Sequence, residues 1–232
     1  MTVQLDVESA PPAAASAAIP TAAWSGLLVV IAASVMDLLD STVTQTAGPA
    51  IQRELGGTYT QLEWLSAAYT LAMAVGLLTG GRLGDLFGRR RVLLAGMGAF
   101  GAASLLCALA PTIGLLIAGR VLQGAIGAVM LPQCFGLIRE LFGDAHQQRA
   151  FAVFGPVMGL TAVAGPIVGG GLVDLDLAGL GWRTIFLVNV PVAIAAIVLG
   201  RRTLPRTAPS AGTGRLDLTS IGMAGAGTVA LV

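Results

Sequence analysis

Two carboxylates and one guanidinium lie inside long apolar stretches of this chain. Asp37 and Asp40 occur in Asp37-Leu38-Leu39-Asp40-Ser41-Thr42, and Arg120 occurs in Gly119-Arg120-Val121-Leu122-Gln123-Gly124. A charge in an apolar segment is costly to bury, so it faces a cavity or a partner of opposite sign. A desolvated carboxylate can bind and release a proton, and Asp40 is the leading candidate for that chemistry, with Asp37 second. The two are three residues apart and share one helix face. Arg120, Gln123, Gly124 and Gly127 follow the i, i+3, i+4, i+7 spacing of a helix stripe, which aligns a cation, an amide and two small residues. A buried arginine keeps its charge, so it needs a carboxylate, carbonyls or water. Asp40 or Asp37 is the expected partner, and a purely structural ion pair is the plainer reading of the same residues.

Two glycine-rich segments add to this set. In Gly165-Pro166-Ile167-Val168-Gly169-Gly170-Gly171 the proline removes a backbone donor and kinks a helix, and the glycines flatten one face of it. The second segment, Gly81 to Arg91, is short, charged and rich in glycine. It reads as a tight hairpin between the apolar runs on either side, with Asp85 placed to pair with Arg89. Cys107 and Cys134 fall inside apolar runs and read as small buried hydrophobes. His146 stands alone in a polar loop. There is no nucleophile–base pair, phosphate-binding loop or metal-ligand set, so neither an enzyme nor a cofactor or metal is expected.

These residues must be held by elements that suit the composition. Of 232 residues, 55% are hydrophobic and 11% charged, and the mean hydropathy is +0.83. Soluble domains carry roughly 25% charged residues. A chain this apolar faces a lipid bilayer. The net charge of +1 lacks the basic footprint of a nucleic-acid binder. A membrane-spanning helix needs about 20 mostly apolar residues. Six runs qualify: Trp24–Gln45, Gln61–Gly81, Val92–Pro111, Ile113–Phe135, Ala150–Val173 and Thr184–Gly200. Glycines within them, at Gly96 and Gly101, Gly124 and Gly127, and Gly155, Gly159, Gly165 and Gly169, are expected to mark faces packed against protein.

With the N-terminus in the cytoplasm, the inner loops hold Arg82, Arg89, Arg90, Arg91, Arg139, Arg149, Arg201, Arg202, Arg206 and Arg215, against Arg53 and Arg183 outside. Short cytoplasmic loops collect basic residues, so this orientation in a cell (plasma or inner) membrane is the expected one. The expected domains are a disordered cytoplasmic tail over residues 1–22, a six-helix bundle over 23–203, a cytoplasmic linker over 204–216 and the truncated start of a seventh helix over 217–232. That last apolar run is about 15 residues, or about 22 Å as a helix, against the ~30 Å of a bilayer core.

Gly81 to Leu93 resembles the loop signature of the major facilitator superfamily, with Leu86 in place of its usual basic residue. Leu39-Asp40-Ser41-Thr42 resembles a first-span motif of that superfamily's fourteen-span drug–proton antiporters, although Val43 to Pro49 departs from its usual ending. Arg120-Val121-Leu122-Gln123-Gly124 is similar to the fourth-span motif linked to proton coupling. Gly165-Pro166 with Gly169-Gly170 is similar to the core of the fifth-span antiporter motif, with Thr161 and Ala152 at its upstream glycine positions. Trp182-Arg183-x-Ile185-Phe186-x-x-Asn189-x-Pro191 resembles the start of the sixth span.

The resemblance implies an all-α membrane fold, here the six-helix N-terminal bundle of two inverted three-helix repeats, plus part of a seventh helix. It implies proton-coupled efflux of small organic compounds, hydrophobic or amphipathic drugs, by alternating access. In that scheme Asp40, Asp37, Arg120 and Gln123 couple the proton. Gly81, Asp85, Gly88, Arg89 and Arg90 form one half of a cytoplasmic latch, and Gly165, Pro166, Gly169 and Gly170 shape the face between bundles. The other bundle is expected from a missing C-terminal part or a second chain. The alternative is a fragment or half-unit that does not transport by itself.

Overall fold

The computed structural model describes residues 19–206. The expected linker beyond residue 206, the partial seventh helix and most of the N-terminal tail lie outside the described residues. The order is α1 Thr21–Leu55, α2 Tyr59–Phe87, α3 Arg89–Ala108, α4 Ile113–Asp174, two 3₁₀ turns at Leu177–Gly179 and Gly181–Arg183, then α5 Thr184–Leu187 and α6 Asn189–Thr203.

Helix α4 has 62 residues, which laid straight would reach about 93 Å, three times a bilayer core. It is two spans. Gly143 breaks it with φ 59° and ψ 176°, a conformation that suits a residue without Cβ. Phe135 and Phe154 then meet with ring centroids 5.9 Å apart, where a straight helix would hold them about 28 Å apart. Helix α2 crosses as one span bent by 53° between Leu77 and Thr79, and Gly181–Thr203 forms the last span. The chain is therefore an all-α membrane protein with six membrane-length segments among the described residues.

Several expected boundaries move. Gly81 to Phe87 is not a hairpin loop, because α2 continues through it and only Gly88, at φ 86°, turns the chain into α3. Residues 136–149 are helical on both sides of Gly143, so His146 sits in a helix and not in a loop. Polar residues end a span in a bilayer, but they do not end a helix that emerges from it. Pro166 keeps helical geometry, and Gly143 is the single departure within α4. The helix starts are set by side chains. Thr58 and Gln61 form a reciprocal capping box on α2, and the Thr112 hydroxyl accepts from the Leu115 amide on α4.

Close approach between helices uses glycine where a Cβ would overlap a neighbour. Gly80 and Gly124 pack onto the backbones of Ala128 and Tyr69, which draws α2 onto α4. Gly165 and Gly169 pack on Thr42 and Val43 of α1. Gly155 and Gly159 do not follow the expectation. Nothing lies within 4 Å of the Cβ position at either, so they are on an open face with Leu160, Val163 and Ile167.

The core is divided. One apolar cluster gathers Val30, Met36, Met97, Phe100 and Leu137. A second gathers Val43, Ile51, Leu65, Leu116, Trp182 and Phe186. Along α1, Asp37 and Asp40 fall between Met36 of the first cluster and Val43 of the second, so a polar layer crosses the bundle between them.

Candidate functional site

The layer is centred on Asp40, which is 3% exposed, and Arg120, which is fully buried. Helix α1 supplies the carboxylate and α4 the guanidinium, and the two pair through Arg120 Nη1 and Asp40 Oδ2. Arg120 Nη1 also donates to Gln123 Oε1 at 2.8 Å, and Nε donates to the Leu65 carbonyl at 3.2 Å. The other carboxylate oxygen of Asp40 accepts from Gln123 Nε2 at 3.1 Å and Asn189 Nδ2 at 2.7 Å. The two amides also reach Ser104 Oγ, at 2.9 and 3.2 Å, which brings α3 into the network. Cys107 donates its thiol to Gln123 Oε1 at 3.3 Å, so it belongs to the polar layer and is more than an apolar filler.

Arg120 is sandwiched as well as paired. Its Cζ lies 4.3 Å from the centroid of Tyr69 on α2 and 5.9 Å from that of Phe186 on α5. A cation over an aromatic face gains most where water is excluded. Its Nη2 is buried with no hydrogen-bond partner among the described residues. Buried donors are rarely left unmatched, so this atom is a place for an acceptor from water or a bound molecule.

Asp37 turns away from this network. Its Oδ1 accepts from the Tyr69 hydroxyl at 2.6 Å and lies against Gly127, and the residue is half-buried. The shared helix face is real, but the two carboxylates have different partners.

The expected latch residues lie at the α2–α3 junction. Arg89 pairs with Asp85 at 3.2 Å and reaches Glu140 of α4 at 3.6 Å, and both pairs are partly exposed. Arg90 donates to the Arg201 carbonyl at 2.6 Å, tying the junction to the end of α6. Gly88 makes the turn, and Gly81 lines a cavity of about 290 Å³ with Asp85, Arg89 and Gln133. Leu86 leaves its helix position without a charge, and Glu140 supplies a carboxylate from another span. At the other end of the bundle Glu54 accepts from Trp182 Nε1 at 2.7 Å and pairs with Arg183. In the fifth span Gly165 and Gly169 are buried against α1, while Pro166 is exposed and Gly170 is half-buried.

Tyr69, Ser104, Asn189, Glu140 and Glu54 were not singled out by spacing. Asn189 was marked only by its place in the motif resembling the start of the sixth span, which gave it no role in this layer.

The sequence profile of the Major Facilitator Superfamily matches residues 30–217. A probable actinorhodin transporter of Streptomyces coelicolor is 49% identical over 182 residues, 78% of this chain and 32% of that protein. A tetracenomycin C resistance and export protein of Streptomyces glaucescens is 40% identical, over 76% of this chain and 32% of that protein. The chain thus spans about a third of the length of these relatives. Among solved structures, the proton:xylose symporter XylE superposes with a TM-score of 0.71 at 15% identity, over 91% of this chain and 50% of that one.

Proposed function

The chain belongs to the Major Facilitator Superfamily, and we propose that it supplies the first bundle of a proton-coupled exporter of small organic compounds. The observation that carries this reading is the desolvated network of Asp40, Arg120, Gln123 and Asn189 midway through the bundle. A carrier needs a charge in the membrane interior whose neutralisation changes how helices pack. Here one ion pair and two amides join α1, α3, α4 and α6, so a change of charge at this layer is felt by all four. The spare Nη2 of Arg120 gives an acceptor on the substrate somewhere to dock. Export as the direction is supported by the Streptomyces glaucescens relative, a resistance and export protein.

A second bundle, in the same polypeptide or in another, completes the transport path. The open face of the fifth span, with Gly155, Gly159, Leu160, Val163, Pro166 and Ile167, is the surface against which it packs, and Gly165, Gly169 and Gly170 set how close α1 lies behind that surface. Asp85, Arg89 and Arg90 form the latch at the arginine-rich end, which faces the cytoplasm of a cell membrane with the N-terminus inside. Drug leaves as a proton enters.

The test is transport by the complete protein in proteoliposomes, with ethidium as the probe. An imposed pH gradient drives ethidium movement in the wild type. Asp40→Asn, compared with the wild type at equal amounts of inserted, folded protein because halving a buried pair is itself destabilising, abolishes it. Ethidium movement that ignores the gradient, or normal efflux by the Asp40→Asn variant, overturns the reading.

A further inference from the structure

The polar layer does not balance its charge. Among the described residues it holds two carboxylates, Asp37 and Asp40, and one cation, Arg120. With both carboxylates ionised the layer carries one uncompensated negative charge between two apolar clusters. An uncompensated charge at that depth costs several kcal/mol, and proteins remove it by neutralising a group. The geometry identifies which group that is.

Asp40 is saturated as an anion. One oxygen pairs with Arg120, and the other accepts from two amides, Gln123 and Asn189. Every one of these partners donates to it, so a proton on Asp40 would displace a donor and leave Arg120 buried without its counter-charge. Asp37 has no cation against it. Its one hydrogen-bond partner among the described residues is the Tyr69 hydroxyl, at 2.6 Å. A phenol both donates and accepts, so Tyr69 can serve the carboxylate and, after rotating its proton, the carboxylic acid. Asp37 is also half-buried where Asp40 is enclosed, which gives a proton a route to it.

The groups facing Asp37 are few. Asp40 lies three residues on along α1. Tyr69 faces it from α2, and Arg120 and the buried Cys134 thiol are contributed by α4. The side chains that α3 and α6 bring to the layer, Ser104 and Asn189, are neutral. Among the described residues no group of three or more His, Cys, Asp or Glu side chains gathers here to hold a metal ion.

We propose that the proton exchanged during transport is carried by the Asp37 carboxylate on the Tyr69 hydroxyl, while Asp40 stays paired with Arg120. This rests on the proton-coupled reading above and names the atom that does the coupling. The O–H bond forms at Asp37 with a proton taken from water on one side of the membrane, and that proton returns to water on the other. Tyr69 is the positioning residue. Its hydroxyl holds Asp37 and its ring lies under Arg120, so the state of Asp37 reaches the Asp40 pair through one side chain. Gly127 makes room, since a Cβ there would occupy the position of the Asp37 carboxylate.

Infrared difference spectroscopy of the complete protein in detergent tests this without a known substrate. A protonated-carboxyl C=O band that titrates with pH is expected in the wild type and lost in Asp37→Asn, an isosteric change that still accepts from Tyr69. Tyr69→Phe keeps the ring on Arg120, removes the hydroxyl, and is expected to move both the band frequency and its titration midpoint. A wild-type-minus-Asp37→Asn difference that contains no titrating C=O band overturns the assignment, as does a Tyr69→Phe variant in which that difference band is unmoved. In vesicles, Asp37→Asn is expected to lose pH-driven ethidium movement and keep ethidium–ethidium exchange. If wild-type movement ignores the gradient, it is the functional reading that fails; if the wild type responds and Asp37→Asn responds equally, only the Asp37 assignment fails.

Discussion

The molecule makes the same Asp–Arg contact twice, in two surroundings. Asp40 and Arg120 meet with side chains 1% and 0% exposed, whereas Asp85 and Arg89 meet with side chains 55% and 31% exposed. The buried pair is joined to four helices by amides, a hydroxyl and a carbonyl. The exposed pair lies within one turn of the α2–α3 junction and has water as an alternative partner. A buried pair contributes little net stability when intact yet is costly to break, while an exposed pair is cheap either way. The first therefore suits a centre whose charge must be matched in every state, and the second suits a contact that opens and closes during a cycle.

The largest expected effect comes from halving the buried pair. Arg120→Gln leaves Asp40 enclosed without its cation, and the loss is about 3–5 kcal/mol, read as a collapse of thermal stability in detergent. A variant as stable as the wild type would remove the distinction between the two pairs. Gly124→Ala comes next, because its Cβ would meet the Tyr69 backbone and push α2 from α4. The expected cost is about 1–3 kcal/mol, and Gly114→Ala, at the exposed start of α4 with open space around it, is the control expected to be near neutral.

Asn189→Ala removes one donor from Asp40 and one from Ser104. The expected loss is about 1–2 kcal/mol, with pH-driven transport reduced but present. Unchanged stability and transport would mean that α6 does not hold the layer. Asp85→Asn has the smallest effect on stability, at most about 1 kcal/mol, and its effect appears in the transport rate if the junction is a latch. A stability loss as large as that of Arg120→Gln would place Asp85 in the same class as Asp40.

Six span-length segments were legible because a bilayer imposes a length and an apolarity that few other segments share. The partner of Arg120 was legible for a similar reason, since ionised groups in apolar runs are so scarce that each has few possible counterparts. Ser104 was not legible, and Asn189 entered only through the resemblance of the sixth-span motif, without its partner. Neutral polar side chains are tolerated in spans at low cost, and the two lie 85 residues apart in sequence. Gly81 to Phe87 had the composition of a loop and is helix, and its Gly81 and Gly84 pack on Pro132 and Gln133 of α4. Gly155 and Gly159 had the spacing of a packed face and have no neighbour among the described residues.

By itself the sequence determined which segments are long and apolar enough to cross a membrane, where the charges fall along them and which face of each helix they share. Those follow from a local rule, the cost of moving each side chain from water into lipid. Tertiary structure alone decided that Asp40 is saturated by Arg120, Gln123 and Asn189 while Asp37 has only Tyr69. The reason is geometric. Three residues along a helix turn a side chain by roughly 60° from its neighbour's direction, enough to aim two like carboxylates at different helices, and which helices stand there depends on how all six spans pack.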